Sequence, residues 1–461
     1  MNILSLSSLA LALFCAVPGH LASPGTQPDA HHPALYSRSV LPAASYSVAF
    51  SKKVPRRKAK VDALAALRGS VVSRNAYKTV PLAGSNLDTD YLVNVTIGGQ
   101  NFSLIIDSGS SDTWVPQAGF SCFDLTGSPV PQTTCNFGST GFNPNSSKTF
   151  ELYQNVSFNQ TYGTSEYVAG PIALETVSIG ALEVSRQVVP IPNVAAWTGD
   201  GVLSGVLGLA FPNVTSLFNT SDPTTASIKN RILYDPFFFT AVKQNKVEHP
   251  YFSIALNRPT AEQAENDLYT PNLGLLAFGG IAPVPVIHNT SVTVPVLAYP
   301  PTIAESKRQF FWYTLPIDSY NFPGSENIPE ARNASLGNDT TVLDTGTAVN
   351  LVPAPVAAGY AAAFGPPAEL ITVSGVTLYA AQCNATVPQF SVTIGGQAFS
   401  MDPRDQLVPF GNDTCVLGTQ AQGGPLIASD FHLLGDSFLR NVVATLNPID
   451  REITLTQRVP Y

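Results

Sequence analysis

The chain has 461 residues, of which 44% are hydrophobic and only 12% charged, enough for a large core and more than one lobe. The formal net charge of −8 is split unevenly: the first 80 residues carry ten Lys/Arg and two Asp/Glu, and the rest carry fourteen and thirty. After the first twenty residues no segment is long and apolar enough to span a bilayer, which argues against an integral membrane protein. The 34 Gly and 38 Pro are spread throughout, and Val, Ile, Thr, Phe and Tyr dominate the apolar segments. That pattern predicts an all-β protein with few short helices and many short strands.

Residues Ile3 to Val17 are uncharged and largely apolar, and Pro18-Gly19 follows. The run is short for a membrane anchor and is read as a secretory signal peptide, residues 1–22. Residues 23–79 are basic, with six Lys/Arg between Lys52 and Lys60. Such a segment can be a plain solvated arm. A nucleic-acid patch is disfavoured by the secretory leader. The sharper reading is a propeptide, which lies on the acidic body at neutral pH and loosens as carboxylates protonate. Arg74 and Lys78 are the residues expected to meet the active site. The mature body is expected to begin between residues 75 and 86.

Tyr91 to Ile97, the Gly98-Gly99 turn and Phe102 to Ile106 read as a hairpin that delivers Asp107. Phe102 to Pro116 then runs from an apolar strand through Asp107-Ser108-Gly109-Ser110 to a Val-Pro ending. Thr341 to Pro353 repeats it around Asp344-Thr345-Gly346-Thr347. The glycine is expected to permit a sharp turn after each acid, and the hydroxyls to hold the carboxylate. A second echo follows each acid. Gly208, in Gly205 to Ala210, lies 101 residues after Asp107, and Gly435, in His432 to Asp436, lies 91 after Asp344. This is an internal duplication of long period.

Cys15 leaves with the signal peptide. Cys122, Cys135, Cys383 and Cys415 remain, and in a secreted body they predict two disulfides, with three possible pairings. No His joins them at zinc spacing, so no metal is expected. Asp235 to Asn245 reads as a short helix capped by Asp235, with Pro236 in its first turn. Tyr251 to Leu256 is the expected crossing between lobes, and 257–272 a surface loop. Leu273 to Gly280 and Phe311 to Ile317 read as strands leading to the second acid. Twelve Asn-X-Ser/Thr sequons follow residue 80: Asn94, Asn101, Asn145, Asn155, Asn159, Asn213, Asn219, Asn289, Asn333, Asn338, Asn384 and Asn412. With the signal peptide, their number predicts a secreted glycoprotein.

The paired acid stretches and paired glycine stretches resemble the pepsin-like aspartic protease family, from about residue 85 to the C-terminus. The resemblance implies a bilobal fold of two pseudo-symmetric β lobes, residues 80–255 and 256–461, with the active site in the cleft between them. It implies catalysis by Asp107 and Asp344, and a zymogen whose basic pro-segment covers the cleft. Ser108 and Thr345 would cross-brace the two acid loops, while Ser110 and Thr347 would bond the outer carboxylate oxygens. Ala348 stands where Ser is frequent. Phe158 to Gly170 is similar to the flap, a hairpin closing over the substrate, with Tyr162-Gly163-Thr164 at its turn and Trp114 supporting the tyrosine. Ser165-Glu166 departs from the usual flap pattern and makes it one residue longer. Leu203 and Val206 would line a hydrophobic substrate pocket. The same likeness favours the pairings Cys122–Cys135 and Cys383–Cys415, one per lobe.

Two carboxyls within hydrogen-bond reach share one proton, and the pair can activate a water against a peptide carbonyl with no cofactor. The function expected is a secreted aspartic endopeptidase, active in acid and preferring hydrophobic side chains at the scissile bond. Its partners would be protein substrates and its own propeptide; a monomer is expected, with neither nucleic acid nor membrane bound. A vacuolar destination is the lesser alternative. Two other readings stand beside it: a catalytically silent, peptide-binding relative, and a glycosidase using two carboxylates.

Overall fold

The computed structural model describes residues 79–85, 90–163, 165–259, 269–298, 309–332, 334, 341–373, 376–411, 413–422 and 432–461. The signal peptide, nearly all of the basic segment, Arg74, Lys78, Thr164, Asn333, Asn338 and Asn412 lie outside the described residues. The architecture is mostly β, with a few short helices.

The first hairpin joins Asp90–Ile97 to Gln100–Asp107. Gly98 (φ +54°) and Gly99 (φ +79°) both take the left-handed conformation of a two-residue hairpin turn. That turn sets the register, Val95 opposite Phe102 and Ile97 opposite Gln100. Leu104 and Ile106 are thereby buried in the large core, and Asp107 ends the strand.

Strand Thr79–Ser85 bridges two regions of sheet. Its second half pairs with Asp90–Ile97, and Thr79 to Pro81 pair with strand Gly274–Phe278. From there the antiparallel pairing continues through Phe252–Leu256, Val442–Asn447, Glu452–Gln457 and Val292–Pro295. Strand Phe252–Leu256 is buried throughout, as its unbroken apolar sequence requires. Phe237 and Phe238 pack edge-on against Phe278 and Phe252 of this sheet, respectively, and join the core that reaches Tyr313 and Tyr360.

Three local expectations need correction. The helix spans Phe237–Lys243, with Pro236 itself at the N-cap position and no side-chain cap. Asp235 lies one residue too early to cap it, and its carboxylate pairs with Lys243 instead. Strand Gly274–Phe278 joins the sheet just described rather than leading to the second acid. Of Phe311 to Ile317 only Thr314–Leu315 is strand, pairing antiparallel with Thr341–Leu343. Disulfides Cys122–Cys135 and Cys383–Cys415 are both formed. Among the described residues no helix is long and apolar enough to cross a membrane.

Candidate active site

Each acid leaves a buried strand beside a parallel neighbour carrying the matching glycine. Strand Val206–Gly208 runs parallel to the first acid strand, with Gly208 opposite Asp107. Strand His432–Leu434 runs parallel to Thr341–Leu343, and Gly435 follows it. A side chain on Gly208 would come within 2.2 Å of the Ser111 carbonyl carbon, and one on Gly435 within 2.2 Å of the Thr347 carbonyl oxygen. The glycines are therefore required by close approach of two chains, which explains why both halves carry one at this place.

Asp107 and Asp344 are brought face to face, both fully buried and in hydrogen-bond contact through their carboxyls. Two carboxyls can share such a bond only with a proton between them. Gly109 serves this approach: it has no left-handed φ, and a Cβ there would stand 2.6 Å from Asp344 Oδ1. Burial, followed by the neighbouring Asp344 carboxylate, pushes the Asp107 carboxyl well up. Donors pull partly the other way. Gly109 N and Ser110 N donate to Asp107 Oδ1 at 2.7 and 3.1 Å, and Ser110 Oγ donates to Oδ2. Around Asp344, Gly346 N donates to Oδ1 at 2.9 Å and Thr347 Oγ1 to Oδ2 at 2.6 Å. Carboxyls in direct contact leave no room for a glycosidase geometry, which separates them by about 5 Å or more.

Ser108 and Thr345 lock the two turns together reciprocally. Ser108 Oγ donates to Leu343 O at 2.8 Å and accepts from Thr345 N at 3.0 Å. Thr345 Oγ1 donates to Ile106 O at 2.8 Å and accepts from Ser108 N at 3.0 Å. Four buried bonds thus span chain segments more than 230 residues apart. Ala348 is buried, and its carbonyl accepts from Ser437 Oγ at 3.1 Å.

Strands Glu151–Thr161 and Tyr167–Ile179 form the hairpin expected as the flap. Tyr162 N donates to Glu166 O at 2.8 Å and Ser165 N to Tyr162 O at 3.0 Å, closing the turn. Trp114 Nε1 donates to Tyr162 Oη at 2.6 Å. Gly163 is buried in the turn. Leu203 and Val206 are fully buried in one apolar cluster with Trp114 and Tyr162.

Several contributors escaped the sequence reading. Trp197 packs edge-on against both Trp114 and Tyr162. Trp312 Nε1 donates to Gly109 O at 2.8 Å, tying the second half to the first acid turn. Asp436 is buried, and burial together with the carboxylates of Asp344 and Asp90 pushes it up while Arg440 opposes this. Only the glycine echo in Leu434-Gly435-Asp436 hinted at that position. Among the sequons, Asn94, Asn101, Asn145, Asn155, Asn219, Asn289 and Asn384 are exposed. Asn159 and Asn213 are half-buried and donate their amides to Pro223 O and Phe310 O. No cluster of three or more His, Cys, Asp or Glu that could hold a metal occurs among the described residues.

Residues 90–458 match the family model described as eukaryotic aspartyl protease. A probable aspartic-type endopeptidase of Aspergillus fumigatus is 34% identical over 363 residues, covering 77% of this chain and 76% of its own. Mucorpepsin of Rhizomucor miehei is 26% identical, covering 88% and 93%. The crystal structure of an aspartic proteinase from Irpex lacteus superposes with a TM-score of 0.59 at 19% identity, over 82% of this chain and 97% of that one. That likeness shows the pepsin-like fold; the family match and the Aspergillus relative show that this chain belongs to the eukaryotic aspartyl protease family, the pepsin-like aspartic endopeptidases.

Proposed function

We propose that the chain is a secreted endopeptidase made as a zymogen, in which Asp107 and Asp344 activate one water against a peptide bond. The observation that carries this is the buried Asp107–Asp344 contact held by the Ser108–Thr345 brace. The pair titrates as a unit holding one proton. Its ionised member takes a proton from water as the protonated member polarises the peptide carbonyl. The tetrahedral diol then collapses as the pair protonates the leaving amine. Glycine and hydroxyl donors around each acid keep the ionised form accessible in acid.

In this reading residues 1–22 are the signal peptide and 23–79 the propeptide. The lobes are residues 80–255 and 256–461. The acidic body and basic leader support a charge-held precursor that loosens in acid. Tyr162, Gly163 and Thr164 close over a substrate. The preference for hydrophobic side chains rests on the family resemblance, with Leu203 and Val206 packed in the apolar cluster that includes Tyr162. The test is to hold the purified precursor at neutral and then acid pH and follow peptide cleavage and the N-terminus. Activity that rises in acid with loss of the leader supports the reading. Full activity at neutral pH with residues 23–78 attached, or a rate maximum at or above neutral, overturns it.

A further inference from the structure

Asp112 takes no part in the chemistry above, yet it is 2% exposed and sits between the acid turn and Trp114. Ser216 N donates to its two carboxylate oxygens at 3.2 and 3.1 Å, and Tyr234 Oη donates to Oδ1. Ser216 passes the tie onward. Its Oγ donates to Gln160 Oε1, and its carbonyl accepts from Asn159 N at 3.4 Å. Asn159 and Gln160 lie on the outgoing flap strand, just before Tyr162. The segment after Ser216 pairs with that strand, Leu217 opposite Phe158. The hairpin is therefore joined to the first acid turn twice: near its tip by Trp114 to Tyr162, and along its strand by Asp112 through Ser216 to Gln160.

We propose that Asp112, with Tyr234, is a positioning residue that holds the flap hairpin in register with Asp107. The inference rests on the flap role given to this hairpin under the proposed function. Among the described residues Tyr234 contacts Asp112 directly, while Arg231 and Tyr162, at the flap turn, interact with it electrostatically. Burial pushes the Asp112 carboxyl up to about 7, against the pull of Tyr234, Ser216 and Arg231. In acid the group is thus neutral: one oxygen accepts from Ser216 N and the other can donate to Tyr234 Oη. No buried charge is needed to keep the tie. An asparagine can reproduce both bonds, whereas an alanine can make neither.

The experiment uses the full chain after acid activation, as wild type, Asp112→Ala, Asp112→Asn, Gln160→Leu and the Asp112→Ala/Gln160→Leu double variant. Amide exchange of residues 155–168 is read against residues 442–457, beside kcat and KM on a peptide. With one tie lost, Asp112→Ala should exchange about tenfold faster in the flap and not in the reference segment, and raise KM more than it lowers kcat. Asp112→Asn should restore both readouts. Gln160→Leu should mimic the alanine, and the double variant should be no worse than either single, as one pathway demands. A wild-type flap and KM in Asp112→Ala, an asparagine as damaging as the alanine, or additive single effects would each overturn the proposal. If Asp112→Ala does not fold, unchanged flap exchange in Gln160→Leu overturns it alone. The exchange readout needs no turnover, so a wild type that cleaves nothing counts against the proposed function and leaves this brace separately judged.

Discussion

Ser108→Ala is the most informative single change to the site. It deletes one hydroxyl, which donates to Leu343 O at 2.8 Å and accepts from Thr345 N at 3.0 Å in a fully buried setting. The variant strands both partners where water cannot replace the lost oxygen. Each buried polar group left unsatisfied costs about 1–3 kcal/mol, so the pair predicts a loss of roughly 2–6 kcal/mol. That exceeds the transfer value of one small side chain by far. Ser108→Thr keeps the hydroxyl, as its counterpart Thr345 does, and should lose much less. Thr345→Val breaks the reciprocal bonds to Ile106 O and Ser108 N. With both halves of the brace gone the turns can part and admit water to the stranded groups, so the double variant should lose less than the sum. Urea denaturation of the activated protein at one fixed acid pH measures all of these. A Ser108→Ala loss below about 0.5 kcal/mol would refute the reasoning, since the brace would then be solvated or redundant.

Other outcomes follow from the same geometry. Asp112 has a folded value of about 7 against an ordinary 3.8, so folding favours its protonated form. Its contribution is complete below the unfolded value and is lost as pH rises through the folded one, roughly 4 kcal/mol in all. Asp112→Asn should flatten the stability curve between those two values, and an unchanged slope contradicts the assignment. Trp114→Phe keeps an apolar ring but removes the donor to Tyr162 Oη; a loss of about 1 kcal/mol predicts roughly a fivefold rise in KM, and an unchanged KM counts against the flap support. Glycopeptide mass spectrometry should find glycans among the exposed sequons and none on Asn159 or Asn213, whose amides are engaged. A glycan on either would show that those bonds are not kept.

What could be read from the sequence was whatever local chemistry wrote into a short window. An apolar strand ending in Asp-hydroxyl-Gly is visible because strand burial and carboxylate holding both act within a few residues. The Gly208 and Gly435 stretches were visible because a 2.2 Å approach leaves no alternative to glycine. The chain does turn at Ser108–Gly109 as expected, but without a left-handed φ; what requires glycine at 109 is the room it leaves for Asp344. Trp312 was hidden because its partner, Gly109, lies 203 residues away and an indole donor carries no pattern. Asp112 and Tyr234, 122 residues apart, were hidden likewise. The strand expected over Phe311 to Ile317 shrank to Thr314–Leu315, with Trp312 reaching toward the opposite acid turn.

The central claim is that one proton shared between Asp107 and Asp344 drives peptide hydrolysis. The direct test is cleavage of an unfolded protein in acid by the activated wild type beside Asp107→Asn and Asp344→Asn, each confirmed as folded. The account predicts cleavage by the wild type and a loss of at least about a thousandfold in each variant, because an amide can neither hold nor pass the shared proton. Either variant retaining wild-type turnover would contradict it.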